Sequence, residues 1–322
     1  MIETARGAVE CVRSGEGAAV LLLHGAMGGY DQGLHLGQAA LGSTGFEFIA
    51  VSRPGYLRTP LALGPTPEQQ ADLCAGVLDA LAIRQAAAIA ISGGGQCALQ
   101  FALRHPGRCR ALVMISACSA PLTVRVPLRF HLMTLMTRLP GVLSSMRRKA
   151  ENDPEWAAGR AIPDPALRAK TLNDPEAGPL LRAHLLSTMD RMAERLPGTR
   201  NDIAQSRAPF AYPVERILAP VLIVHGTADQ AVPFAQAESL AARLVPGELL
   251  STSFQVFFGR RTSVDTSVDA AGTSARATVG YEMVFMKWCT KDSGWPARVP
   301  VHAPPPDPAT GPAVPGASLT TP

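Results

Sequence analysis

The sequence predicts an α/β protein with a mostly parallel central sheet flanked by helices and an all-helical insertion. Three observations predict it. Short apolar runs alternate with helical patterns through the first third, which argues for a parallel sheet covered on both faces. From about residue 120 to 210 the pattern is helix only, rich in Leu, Met and Arg. Buried-strand composition then returns at Val221-Leu-Ile-Val-His-Gly226.

Taken in order, Ala18-Ala-Val-Leu-Leu-Leu23 and Phe46-Glu-Phe-Ile-Ala-Val51 read as strands. Thr66-Pro-Glu-Gln69 reads as a helix start, a capping box with proline at the first helical position. Cys74, Val77, Leu78 and Leu81 follow at helical spacing and make one apolar stripe. Gln85–Ile91 and Ala111–Ile115 read as further buried strands, with a helix from Gly94 to a stop at Pro106 between them. Leu139-Pro140-Gly141, Ile162-Pro163-Asp164 and Leu196-Pro197-Gly198 are expected to break the helical stretch. Its methionines, Met133, Met136, Met146, Met189 and Met192, suit either an adaptable pocket or ordinary helix packing. After Val221–Gly226 comes a helix with Ala237, Leu240, Ala241 and Leu244 on one face.

Beyond about Ser251 the periodicity is lost, and the stretch from Pro296 is proline-rich. Such composition is expected not to pack. The boundaries that follow are 1–120 and 211–250 for the two parts of the core, 121–210 for a helical unit, and 251–322 for an atypical, poorly ordered tail.

At 322 residues the chain suits one large α/β domain with an insertion, or two modest domains. A net charge of +4, without a basic run interleaved with aromatics, argues against a nucleic-acid partner. No apolar run reaches the roughly 18 residues of a spanning helix, and the first residues do not read as a signal peptide. Six cysteines without C-x-x-C or metal-ligand spacing are expected to be small buried hydrophobes in a reducing, cytoplasmic setting.

The strand-to-helix turn at Ile91-Ser92-Gly93 nominates a nucleophile. A serine pinned there sits on a strained backbone with its hydroxyl pushed outward, and Ala90 and Gly94 are small enough to let strand and helix approach. Gly93-Gly94-Gly95-Gln96-Cys97-Ala98 also matches a dinucleotide fingerprint. That reading needs an acid closing the next strand, and Ser116-Ala117-Cys118-Ser119 supplies none.

A serine hydroxyl needs a base, and the base needs an orienting acid. His24-Gly25-Ala26-Met27-Gly28-Gly29, directly after a strand, can aim the Ala26 N–H at a developing oxyanion, with the Gly93 N–H as second donor. Asp229, on the loop leaving a late buried strand, is the candidate acid.

With Leu21–Gly29, Ser52-Arg-Pro-Gly-Tyr56, Ile91–Gly95, Arg104-His-Pro106 and Pro220–Asp229 in this order, the chain resembles the α/β-hydrolase superfamily of serine esterases and lipases over about residues 1–250. The resemblance implies a helical cap where the all-helical segment falls. It also implies Ser92 as nucleophile, Asp229 as triad acid, Ala26 and Gly93 as oxyanion donors, a small ester as substrate, and no metal or organic cofactor. The chain departs from the family twice. Ala90 stands where glycine is usual, and Phe254-Gln-Val-Phe-Phe-Gly-Arg-Arg261 offers no histidine where the family places its base.

His302, in the proline-rich tail, has the right chain order for that base. His24 and His225 read as structural, and His105 as a cation suited to a helix C-terminus. His35, His131 and His184 lie in helical segments without an obvious partner. Two functions remain open: a carboxylic-ester hydrolase, or a degenerate member that binds a small molecule without turning it over.

Overall fold

A computed structural model of the chain describes residues 1–42, 44–122, 135, 139, 141–159, 161–175, 177–227, 229 and 231–244. Among these residues the centre is a six-stranded sheet made of β3 (Cys11–Ser14), β4 (Ala18–Leu23), β5 (Phe46–Val51), β6 (Ala86–Ile91), β7 (Cys109–Ile115) and β8 (Val221–Val224). The order is β3-β5-β4-β6-β7-β8, and only β3 runs antiparallel to its neighbour. Ahead of it, β1 (Ile2–Thr4) and β2 (Gly7–Val9) form a small antiparallel hairpin.

The central strands are apolar along their length because helices cover both faces. Side chains still alternate. Leu21, Leu23, Ile49, Val51, Ala88 and Ala90 face one core, while Val20, Leu22, Phe48, Ala50 and Ile89 face the other. Helices α2 (Pro67–Ala80), α3 (Gly95–Arg104) and α9 (Ala235–Arg243) pack in the first core. Helix α1 (Tyr30–Leu41) packs in the second through Leu36, Ala39 and Ala40.

Helix α2 starts as expected. The Thr66 hydroxyl accepts from the Gln69 N–H at 3.3 Å, and the Gln69 side chain accepts from the Thr66 N–H at 3.2 Å.

Among the described residues, five helices lie between β7 and β8: α4 (Val142–Asn152), α5 (Pro154–Ala158), α6 (Pro165–Asn173), α7 (Ala177–Met189) and α8 (Met192–Arg207). Gly141, in the left-handed region at φ 79°, precedes α4, and the Asp164 side chain caps α6. The third expected break is wrong. Pro197 lies inside α8, and the helix runs on because neighbouring loops take up the altered ladder. The Gly198 N–H donates to the Gly55 carbonyl at 2.7 Å, and the Glu194 carbonyl accepts from the Leu57 N–H at 2.9 Å.

Strands β1 to β3 were not anticipated; each is three or four residues long and only partly buried. The expected tail, His131, His302, Met133 and Met136 lie outside the described residues.

Candidate active site

Chain order reverses about β4: β5 lies on one side of it and β6 on the other. A crevice for a ligand opens at the carboxyl ends of strands at such a reversal. The two loops flanking it are His24–Gly29 after β4 and the Ser92 turn after β6.

Ser92 has φ 50°, a region that a side-chain-bearing residue enters at a cost of about 1–3 kcal/mol. One 3-10 turn, Ser92–Gly94, then leads into α3. The Ser92 carbonyl accepts from the Gly95 N–H and, at 2.9 Å, from the Cys118 N–H, which anchors the turn to the end of β7. Close packing explains the glycines. An ideal Cβ on Gly25 would come 3.0 Å from the Ser92 Cβ, and one on Gly94 would come 2.5 Å from the Leu23 carbonyl oxygen. A Cβ on Gly95 would meet the Cys118 carbonyl oxygen at 2.6 Å. Gly94 and Gly95 therefore pack against the protein's own backbone.

The two expected oxyanion donors sit close together. An ideal Cβ on Gly93 would lie 3.6 Å from the Ala26 nitrogen. Among the described residues, neither the Ala26 nor the Gly93 amide donates a loop hydrogen bond, and Gly93 is early enough in its turn to have no partner within it.

The loop carrying Ala26 is braced from below. His24 is 1 % exposed, its Nδ1–H donates to the Gly25 carbonyl at 2.7 Å, and its Nε2 accepts from the Arg53 N–H at 3.0 Å. Burial, and then the Arg53 cation, hold its pKa well below the ordinary histidine range, so the ring is neutral. Met27, at φ 60°, donates its N–H to the Thr199 hydroxyl of α8 at 2.9 Å.

Asp229 lies on the loop after β8, at the same edge of the sheet as Ser92. Its Oδ1 accepts from the Ala231 and Val232 N–H groups at 2.8 and 3.0 Å. Cys118 joins the two regions, donating its N–H to the Ser92 carbonyl while its side chain packs with Val232 and Leu122.

Among the described residues, His225 and His105 have local partners. His225 Nε2–H donates to the Val232 carbonyl at 2.8 Å and lies 3.6 Å from Asp229 Oδ2. His105 Nε2 pairs with Asp72 at 2.9 Å. His35 and His184 meet where α1 faces α7. Among the described residues no histidine is hydrogen-bonded to the Ser92 hydroxyl, and no cluster of three His, Cys, Asp or Glu side chains could hold a metal ion.

Sequence reasoning missed Asp202 and undervalued Arg53. The Asp202 carboxylate accepts from Arg53 Nη1 at 2.9 Å, from Nη2 at 2.5 Å and from the Tyr56 hydroxyl at 2.6 Å. An ideal Cβ on Gly93 would lie 2.8 Å from Asp202 Oδ2. Arg53 follows an apolar strand in a short loop, which was a legible sign of a buried cation. Asp202, in the polar stretch Arg200-Asn-Asp202, carried no such sign.

A family model described as the alpha/beta hydrolase fold matches residues 18–257. The chain belongs to the α/β-hydrolase family. A solved α/β-hydrolase fold protein from Nakamurella multipartita is similar at 32% identity and a TM-score of 0.68, over 76% of this chain and 86% of that one. The chain is 27% identical to a 2-hydroxymuconate semialdehyde hydrolase of Pseudomonas putida, over 73% of this chain and 79% of the relative. It is 26% identical to an uncharacterized hydrolase, YcgS, of Bacillus subtilis, over 72% of this chain and 81% of the relative. No helix among the described residues is long and apolar enough to cross a membrane.

Proposed function

We propose that this α/β hydrolase is a serine hydrolase of the carboxylic-ester type acting on a small ester. One observation carries the reading: Ser92 stands at φ 50° on a strand-to-helix turn, near two backbone amides, those of Ala26 and Gly93, with no loop partner among the described residues. The Ser92 oxygen attacks the ester carbonyl, and the Ala26 and Gly93 N–H groups receive the charge that develops on the carbonyl oxygen. A histidine takes the serine proton and gives it to the leaving alcohol, then takes a proton from the water that hydrolyses the acyl-serine and returns it to the Ser92 oxygen, while Asp229 holds that histidine in one tautomer. His302 is the residue proposed for this role. Helices α4 to α8 act as a cap that limits substrate size, and no metal or organic cofactor takes part. The reading places the protein in the cytoplasm.

A second chemistry uses the same parts. The Pseudomonas putida relative is named a 2-hydroxymuconate semialdehyde hydrolase, and the same nucleophile, oxyanion donors and base can serve carbon–carbon bond hydrolysis as well as ester cleavage. A third possibility, a binder lacking its base, follows if no histidine reaches Ser92.

Turnover of p-nitrophenyl butyrate by the full chain separates these readings. Loss in both Ser92→Ala and His302→Ala supports the ester hydrolase, with a fall of up to about six orders of magnitude for a lost triad histidine. Turnover abolished by Ser92→Ala but untouched by His302→Ala assigns the base elsewhere. Absence of serine-dependent turnover of the ester, together with Ser92-dependent cleavage of a vinylogous 1,5-diketone, selects the carbon–carbon reading. No serine-dependent turnover of either substrate overturns the enzymatic readings in favour of the binder.

A further inference from the structure

We propose that Asp202 is a positioning residue that sets the spacing between the two oxyanion donors, acting through Arg53. The inference deepens the ester-hydrolase reading, and its kinetic part rests on that reading. The donors Ala26 and Gly93 come from different loops, after β4 and after β6, so something must hold those loops at one separation. Buried polar contacts from His24 through Arg53 to Asp202, and the close packing of Asp202 on Gly93, do so. Arg53 grips the start of the first loop twice: its N–H donates to His24 Nε2 at 3.0 Å and its Nε–H to the His24 carbonyl at 2.9 Å. The far side of its guanidinium clamps Asp202 with two parallel bonds, while Nη1 also donates to Gln70 at 3.1 Å. Asp202 Oδ2 in turn occupies the space where residue 93 would carry a side chain.

The contact is dry and over-determined. Arg53 is 2 % exposed, Tyr56 0 % and Asp202 7 %. A buried ion pair is a poor device for stability alone, since apolar residues of the same volume often serve as well. Its advantage is direction: a two-pronged guanidinium–carboxylate pair fixes distance and plane as a greasy contact cannot. The pair also cancels a negative charge that would otherwise oppose the oxyanion.

Helix α8 presents Asp202 and touches every loop concerned. Thr199 holds Met27, Gly198 and Glu194 exchange backbone bonds with Gly55 and Leu57, and Arg195 pairs with Asp31 at the start of α1. Pro197 and Gly198 allow that approach, because an ideal Cβ on Gly198 would come 2.2 Å from the Tyr56 ring.

The test compares the full-length protein with Asp202→Asn, Tyr56→Phe and, as a control on the same helix, Asn201→Ala. Hydrogen exchange is followed by mass spectrometry, and kcat and KM are measured for p-nitrophenyl butyrate. In Asp202→Asn, exchange in peptides covering 24–29 and 92–96 should accelerate about tenfold or more while strands 18–23 and 46–51 keep their protection. kcat should fall by about one to two orders of magnitude with KM unchanged within about twofold, the signature of misplaced groups in the transition state. Tyr56→Phe should show the same pattern at about threefold, and it decides the matter if Asp202→Asn fails to fold.

Unchanged exchange in both loops, a change in KM alone, or equal effects in Asn201→Ala overturns the proposal. A wild type without serine-dependent turnover sinks the ester reading, and the exchange comparison still decides the role of Asp202.

Discussion

At the scale of single residues, Gly93 lacks a side chain because Asp202 stands where one would go. The methyl of Gly93→Ala would sit 2.8 Å from an oxygen that Arg53 and Tyr56 hold in place. We expect a loss of about 2 kcal/mol on guanidinium unfolding, in the range of overpacking a tight site. Gly76→Ala in α2 is the contrast, with an ordinary 3.6 Å contact to Thr4; it should gain about 0.5–1 kcal/mol from helix propensity. Equal effects at the two positions would show that the Asp202 clamp yields. The strand-to-helix turn at Ser92 and Gly94 could be read from the sequence because such a turn is a local arrangement. The demand on Gly93 could not, since it is set by a residue on another helix.

At the scale of elements, the strands from β4 onward and helices α2, α3 and α9 lie within about two residues of their expected positions, as local periodicity allows. The capping box on α2 provides a measurement. Thr66→Ala removes the acceptor for the Gln69 N–H and should cost about 1 kcal/mol, read as a lowered denaturation midpoint with unchanged slope. A null effect would mean that water replaces the cap without penalty. Two kinds of element escaped sequence reasoning. Strands β1 to β3 are too short and too exposed to show an apolar period. Helix α8 contains a proline that local rules treat as a stop, and it persists because the loop at 53–57 supplies hydrogen-bond partners.

At the scale of the whole molecule, the inserted helices meet the sheet-covering helix α1 along a seam that contains two histidines. Burial, and then the neighbouring His35, push the His184 pKa down to about 4; Asp31 acts in the opposite direction and Arg195 reinforces the shift. Burial lowers His35 as well, and its Nδ1 has no hydrogen-bond partner among the described residues. Gln32 crosses the same seam to Ser187 at 3.2 Å and Thr188 at 2.9 Å. In the unfolded chain His184 titrates near its ordinary value of 6.5, so the unfolded state binds more protons below that pH. The stability tied to this histidine is therefore complete above about pH 6.5, falls as pH drops toward 4, and changes little below that. The free energy of unfolding measured between pH 4 and 8 should decline through this window by on the order of 3 kcal/mol, with Tm falling in step. His184→Asn should flatten the decline, and an unaltered profile would remove His184 as its source.

By itself the sequence determined the alternation of strands and helices, the serine on its turn, the glycine-rich loop after β4 and the order of these pieces. Each depends on neighbours two to four residues apart, where apolar periodicity and turn chemistry act. Tertiary structure decided the strand order that brings the His24 and Ser92 loops together, the docking of α8, and the pairing of Arg53 with Asp202 across 149 positions. Those depend on which charge meets which once both have left water, and a pairing over that distance leaves no periodic trace in the chain.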